Sequence, residues 1–337
     1  MSEHRDRRHV RGVRIVAVVV SALVALTACS STGGKPREVD GSGMSAGEAD
    51  TPRFTVAMVT HGPPGDTFWD LIRKGAETAA AKDNIELKYS AGLQGPDQAN
   101  LVQNAVDSKV DGLAVTLARP EALAPAVKVA IDAGIPVVAL NAGIDAWKAM
   151  GVKAYFGQDE TVSGQAAGQR LAADGAKKVV CVIQDQGNIA LESRCAGVAS
   201  GFKGQVENLN VNGTDMPSVQ STIVAKLQQD PSIDHIVTLG APIALAAVDS
   251  ARTAGSTAKV ATFDTNAALV DAIKAGDVQW AVDQQPFLQG YLAIDSMWLY
   301  LNNRNVIGGG APVLTGPAFI DKTNIDAIAQ YAKNGTR

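Results

Sequence analysis

The chain has 337 residues, 46% of them hydrophobic and 19% charged, with 30 Lys and Arg against 34 Asp and Glu for a formal net charge of −4. That acidic balance excludes nucleic acid as a partner, since a polyanion needs a basic surface. The length exceeds what a single hydrophobic core usually holds, so two lobes are expected.

A basic head (Arg5, Arg7, Arg8, Arg11, Arg14) precedes an apolar run from Ile15 to Leu26, too short for a permanent membrane span. Residues 1–28 read as an export signal. The run closes on Leu26-Thr27-Ala28-Cys29, which resembles the bacterial lipobox, so Cys29 is expected to carry a lipid and become the new N-terminus. An ordinary secretory signal and an N-terminal membrane anchor are the other readings. Residues 29–52 are rich in Gly, Ser and charge with no apolar periodicity, a leash rather than a packed segment. The protein is then expected to be exported and held by its lipid at the outer face of the cytoplasmic membrane. Without residues 1–28, 25 Lys and Arg face 32 Asp and Glu, a net charge of about −7. The expected ligand is small and not strongly anionic.

From Arg53 onward, short β-branched runs alternate with amphipathic stretches. The runs predict strands at 54–59, 85–90, 112–116, 136–140, 153–156, 178–183, 206–211, 235–239, 259–263 and 278–282. Helices are predicted between them, among them 68–82, 97–109, 120–133, 163–174, 218–229 and 243–254, with Asp97, Pro120-Glu121 and Ser218 as start signals. Strands apolar at successive positions suit parallel sheets covered on both faces, so the fold class is α/β, with two doubly wound parallel-sheet lobes. Gly164 and Gly168, four apart on a helix, read as close-packing positions. With Cys29 assigned to lipid, Cys181 and Cys195 remain. An oxidising compartment can join them if the helix after the strand folds back, and two buried free thiols are the other reading.

The sequence holds no Gly-x-Ser-x-Gly, His-Glu-x-x-His, Walker-type or Cys-x-x-Cys motif, and no Asp-x-Asp-x-Asp-Gly calcium loop. Outside the signal the histidines are His61, at the end of the first strand, and His235, at the start of another. No enzyme constellation, metal or cofactor is expected. In open parallel sheets ligands bind beyond the carboxyl ends of the strands. Those ends carry Asp66 with Phe68 and Trp69, then Thr116, Asn141, Arg194, Asp264 with Asn266, and Asp283-Gln284-Gln285. Aromatic faces pack on sugar C–H faces, and planar amide, carboxylate and guanidinium groups match hydroxyls, so the set suits a neutral polyhydroxylated ligand. Each member has a second reading. Phe68 or Trp69 can be core, Asp264 can cap the helix beginning near Asn266, Arg194 can pair with Glu192, and Gln284 and Gln285 can serve crossover backbone.

From Phe54 to about Thr323 the sequence resembles the ribose- and galactose-type periplasmic binding proteins of ABC importers. F-T-V-A-M-V followed by F-W, V-D-G-L-A-V-T, A-G-I-P-V-V-A-L-N, V-A-T-F-D-T-N and D-Q-Q-P-F-L-Q-G-Y carry the resemblance. It implies a monomer with three hinge crossings, near Gln158, Gln284–Gln285 and Thr315. One lobe would be residues 53–157 plus 286–314, the other 158–285 plus 315–337. It implies Phe68 and Trp69 as an aromatic clamp, Asp66, Asn141, Arg194 and Asp264 as ring-hydroxyl ligands, and Gln284 as the hinge glutamine. The ligand would be a neutral monosaccharide or polyol, and the partner an ABC permease. Two departures, Ala142 after Asn141 and Gly240-Ala241 after the strand at 235–239, remove polar contacts common in relatives and shift the expectation away from ribose toward another monosaccharide, a linear polyol or a cyclitol. A ligand receptor for a membrane sensor is the alternative function, while the acidic, exported N-terminus disfavours a repressor.

Overall fold

A computed structural model describes residues 48–337. The export signal, Cys29 and the leash up to residue 47 lie outside the described residues. The last leash residues are already packed. The Ala49 amide donates to the Lys82 carbonyl, and the Thr51 carbonyl and hydroxyl accept from Asn84 and Trp298. Contacts with the body therefore extend a few residues ahead of the expected Arg53.

Two six-stranded sheets carry the fold. The first part of the chain runs β1 (Phe54–Thr60), α1 (Thr67–Lys82), β2 (Ile85–Ala91), α2 (Gly95–Asp107), β3 (Gly112–Thr116), α3 (Pro120–Asp132), β4 (Val137–Leu140) and β5 (Tyr155–Gly157). It continues through α4 (Glu160–Ala173), β6 (Lys178–Ile183), α5 (Ile189–Phe202), β7 (Gln205–Asn210), α6 (Met216–Gln229), β8 (His235–Thr238), α7 (Ala241–Ala254), β9 (Lys259–Phe263), α8 (Ala267–Ala275) and β10 (Val278–Asp283). It ends with α9 (Pro286–Asn303), β11 (Val313–Leu314), β12 (Ala318–Asp321) and α10 (Ile325–Lys333). Sheet order is β11-β5-β4-β3-β1-β2 in one lobe and β12-β10-β9-β8-β6-β7 in the other. Every pairing is parallel except β10 with β12. The chain passes between sheets after β5, after β10 and after β11.

The strands are apolar on both sides because helices cover both faces. Val56 and Met58 of β1 pack under α1 and α9 with Ile72, Ala76 and Ile294, while Ala57 and Val59 face Val102, Leu123 and Val127 from α2 and α3. The second sheet repeats this. Val180 and Val182 meet Ile223 and Ala247, and Val179 and Ile183 meet Leu171 and Val198.

Two start signals lie inside their helices instead of before them. Gln94 precedes α2, with Pro96 in its first turn ahead of Asp97. Asp215 caps α6 by accepting from the Ser218 amide. Strands β11, of two residues, and β12, of four, lie at the sheet edges and are not among the predicted strands.

Glycines bring α4 and α5 into backbone contact. A side chain at Gly164 would strike the Arg194 carbonyl, one at Gly168 the Val198 carbonyl, one at Gly197 the Thr161 carbonyl and one at Gly201 the Gln165 carbonyl. The other lobe uses the same device, with Gly75 against the Phe287 carbonyl and Gly290 against the Ile72 carbonyl. Cys181 in β6 is disulfide-bonded to Cys195 in α5, with the Cα atoms 5.9 Å apart. Closing that loop stabilises the folded state by roughly 3 kcal/mol on the chain-entropy account. The tied loop holds residues 184–188, which reach the cleft.

Because the obstructing atoms are backbone and cannot swing aside, Gly197→Val is expected to destabilise by roughly 3 kcal/mol, the upper end of overpacking costs. Thermal or urea denaturation reads this directly.

Candidate functional site

Between the carboxyl ends of the two sheets lies a cavity of about 400 Å³. Loops after β1, β4, β6, β9 and β10 reach it, as strand-end logic requires. Asp66, Phe68, Trp69, Asn141, Arg194, Asp264 and Gln284 of the sequence-predicted set line it.

Asp66 caps α1, accepting from the Phe68 amide at 2.8 Å, and burial raises its pKa. Two and three residues on, Phe68 and Trp69 line the cleft. Phe68 and Trp69 meet edge to face at 5.3 Å, and Trp69 meets His61 edge to face at 4.6 Å. His61 is buried between lobes. Its Nδ1 lies 2.7 Å from Thr116 Oγ1 and its Nε2 3.1 Å from Asn188 Nδ2. Desolvation holds its pKa down at about 4, with nearby Asp185 pulling the other way, so the ring is neutral at physiological pH.

Arg194 is buried on α5, and Glu160 of α4 grips it through both carboxylate oxygens: Nη2 donates to Oε1 at 2.9 Å and Nε to Oε2. The glycine contacts place those two helices close enough for this. Gln158 donates to Glu160 at 2.8 Å, and the Phe263 ring lies 5.1 Å from the guanidinium. Burial pushes the Glu160 pKa up against the pull of Arg194. The expected alternative partner, Glu192, instead accepts from the Gly187 amide.

Asn141 and Asp264 occupy matching strand ends in the two sheets, after β4 and β9, and both adopt the left-handed region at φ 66°. Asn and Asp tolerate this conformation better than other side chains. Gln284 links them: its Nε2 donates to Asp264 Oδ1 at 2.7 Å, and its Oε1 accepts from Asn141 at 3.4 Å. Burial raises the Asp264 pKa to about 7 despite Arg194 and Gln284. Asp264 does not cap α8. Asn266 does, accepting from the Leu269 amide.

Four predicted residues stand outside the cavity. Thr116 is fully buried behind His61 and receives Gln98 Nε2 at 3.0 Å. Asn266 spends its oxygen on the cap and its amide on Thr67 Oγ1 of the facing lobe, at 3.2 Å. Asp283 pairs with Arg337 and accepts from the Gln285 amide, while Gln285 donates to the Thr315 carbonyl. The last two are hinge residues.

The lining also includes Gln184, Asp185, Asn188 and Thr265, which strand-end reading passed over. Asn188 carried a usable signal, an Asn immediately before an apolar helix. Two lining atoms, Gln184 Oε1 and Thr265 Oγ1, are buried without a hydrogen-bond partner. Such atoms cost ~1–3 kcal/mol until something supplies a partner.

Buried charges here behave oppositely when neutralised. Glu160→Gln leaves Arg194 uncompensated and is expected to cost roughly 3–5 kcal/mol by urea denaturation. Asp264→Asn removes a carboxylate whose folded-state pKa is raised, and such a group loses stability as pH rises from about 4 to 7. The variant should therefore equal or exceed the wild type in melting temperature at pH 8, and the gap should close near pH 4.

The periplasmic binding protein domain family matches residues 56–305. A carbohydrate transporter from Acidothermus cellulolyticus 11B, crystallised in complex with myo-inositol, is 59% identical, with a TM-score of 0.84 over 85% of this chain and 100% of that one. The D-ribose/D-allose-binding protein of Pseudomonas aeruginosa is 27% identical over 305 residues, 84% of this chain and 91% of the relative. The xylitol-binding protein of Mycolicibacterium smegmatis is 25% identical over 273 residues, 78% and 72% respectively. With two like-ordered parallel sheets, three crossings between them and a polar cleft at their carboxyl ends, the chain belongs to the periplasmic binding protein family, as a sugar-binding member of the kind that serves ABC importers.

Proposed function

We propose that this protein captures a neutral cyclitol, with myo-inositol as the reference ligand, and delivers it to an ABC permease. The observation that carries the reading is the charge balance of the cavity. Arg194 is matched by Glu160, so its charge is not available to an anion, while Asp66 and Asp264 face the cavity as acceptors. A ring carrying a hydroxyl on every carbon supplies donors to those carboxylates and acceptors to Arg194, Asn141 and Gln284, and its C–H faces suit Phe68 and Trp69. The 59% identical protein crystallised with myo-inositol supports the same ligand class. The absence of side-chain reach at Ala142 and Gly240 argues against a ribose-type hydroxyl pattern.

The lobes, residues 53–157 with 286–314 and 158–285 with 315–337, close on the ligand by bending at the crossings, and the loaded closed state is what the permease recognises. The protein works as a monomer and by binding, with no covalent step. Cys29 carries a lipid, and the following leash lets the body sample the space above the membrane.

Purified protein lacking residues 1–29 is expected to gain roughly 5–10 °C in melting temperature with myo-inositol at a hundred times its Kd. Ribose, galactose and inositol phosphates should give smaller shifts. A panel in which no polyol shifts the transition overturns the reading. Asp264→Asn should weaken myo-inositol binding at least tenfold by calorimetry. Cys29→Ala should move the full-length protein from the membrane fraction to the soluble one, and retention with membranes would refute the anchor.

A further inference from the structure

Away from the hinge, the two lobes touch directly along one rim of the cleft. Arg119, at the start of α3, pairs with Asp185 at 2.5 Å and donates to the Gln186 carbonyl at 3.2 Å. The Ile189 amide donates to the Ala118 carbonyl at 3.2 Å, and Ala118, Ala142 and Ala190 form a small buried cluster across the gap. Inside this rim, Asn188 Nδ2 faces His61 Nε2 at 3.1 Å.

The orientation of Asn188 is fixed on two sides. Its Oδ1 accepts from the Ala190 amide at 3.1 Å, capping α5, and its Nδ2 also donates to Asp185 Oδ2 at 3.0 Å. Turning the amide over would set an N–H against the Ala190 N–H and an oxygen against a carboxylate. Asn188 therefore presents a donor to His61, and His61 Nε2 must be the acceptor. The ring proton then sits on Nδ1 and goes to Thr116 Oγ1, 2.7 Å away. Thr116 is backed by Gln98, so the ring has little freedom to turn away.

We propose that His61 and Asn188 form a proton-sensitive latch on lobe closure. Neutral His61 accepts across the cleft and holds the ligand in, whereas protonated His61 sets two donors face to face and opens it. The proposal rests on the reading that the lobes close around a polyol. Its consequence is a ligand retained at neutral pH and released where the surroundings turn acid.

The charged groups around the ring are few. Asp185, from the loop after β6, favours the protonated ring; Arg119 of α3 and Arg194 of α5 oppose it. Burial outweighs all three and holds the pKa near 4, below the ordinary 6.5, and opening the cleft to water relieves that burial and moves the value back toward the ordinary one. Because the closed-state value is the lower one, closure is fully favoured above pH 6.5 and is lost as pH falls toward 4. Linkage makes that loss roughly tenfold in Kd by pH 5.5.

Calorimetric titration with myo-inositol from pH 7.5 to 4.5 tests this on three proteins. Asp264 titrates in the same cavity, so the wild-type slope alone assigns nothing, and the variants carry the result. His61→Gln keeps an acceptor for Asn188 that cannot be protonated. Between pH 7.5 and 5.5 the wild type should lose about tenfold more affinity than this variant. Asn188→Asp keeps the α5 cap and turns a carboxylate toward His61; its proton uptake beside Asp185, within the same lobe, occurs in open and closed forms alike, so the fall in affinity on acidification should be flattened or reversed over that interval. Parallel wild-type and His61→Gln profiles, or a wild-type slope in Asn188→Asp, overturn the latch. If myo-inositol fails to bind at pH 7.5, the ligand reading fails, and spin-label distances between α3 and α6 over the same pH range test the latch by themselves. Widening on acidification in the wild type but not in His61→Gln supports it, and equal behaviour refutes it.

Discussion

The buried pairing of Glu160 with Arg194 is the interaction on which the cleft depends. Each charge alone would cost several kcal/mol to desolvate, and their pairing offsets part of that cost. The pairing exists because α4 and α5 touch at backbone level. Any side chain at Gly164 or Gly197 would separate the helices and leave the guanidinium without its carboxylate. The disulfide from Cys195, one residue beyond Arg194, fixes the same turn of α5 to the sheet. Gln158, at the first crossing, is hydrogen-bonded to Glu160 and to Ser163, so the hinge and the cavity cation share one polar chain.

A second chain runs through the other crossings. Asp264 holds Gln284, which meets Asn141 and Gln289, and Gln289 reaches Thr315. Asn141, Asp264 and Gln285 all have positive φ. Left-handed conformations cost of order 1 kcal/mol each for such residues and persist where the surroundings over-determine them. Here those surroundings are the hinge. Motion of one lobe against the other must pass through residues that also line the cavity, so the cavity and the hinge are coupled.

The βαβ order was legible because helices covering both faces force strands to be apolar at successive positions, a pattern that survives in sequence. Seven of the eleven strand-end candidates line the cavity for a related reason: strand ends in parallel sheets converge. The other four, Thr116, Asn266, Asp283 and Gln285, have the right position and chemistry but spend their polar atoms on protein partners, and no local pattern records that. Glu160 was invisible because its partner lies 34 residues away and the helix packing that joins them rests on glycines whose facing residues cannot be paired by inspection. Arg194 was found for its position, and its second reading, a pairing with Glu192 nearby in sequence, gives way to Glu160, the neighbour in space.

The cleft interior holds polar groups that the described residues leave short of partners. The Asp264 carboxylate is desolvated strongly enough to titrate at about 7, and Thr265 Oγ1 and Gln184 Oε1 have no partner. The rim offers contacts that need no ligand: Arg119 with Asp185, Asn266 with Thr67, and Lys74 with the Asn334 carbonyl. Most of these are exposed or half-buried, where ion pairs and hydrogen bonds contribute only about 1 kcal/mol or less. The rim therefore contributes little to closure beside the groups in the interior. Hydroxyl donors at Asp264 would act from inside the cavity, where low water content makes each hydrogen bond count for more.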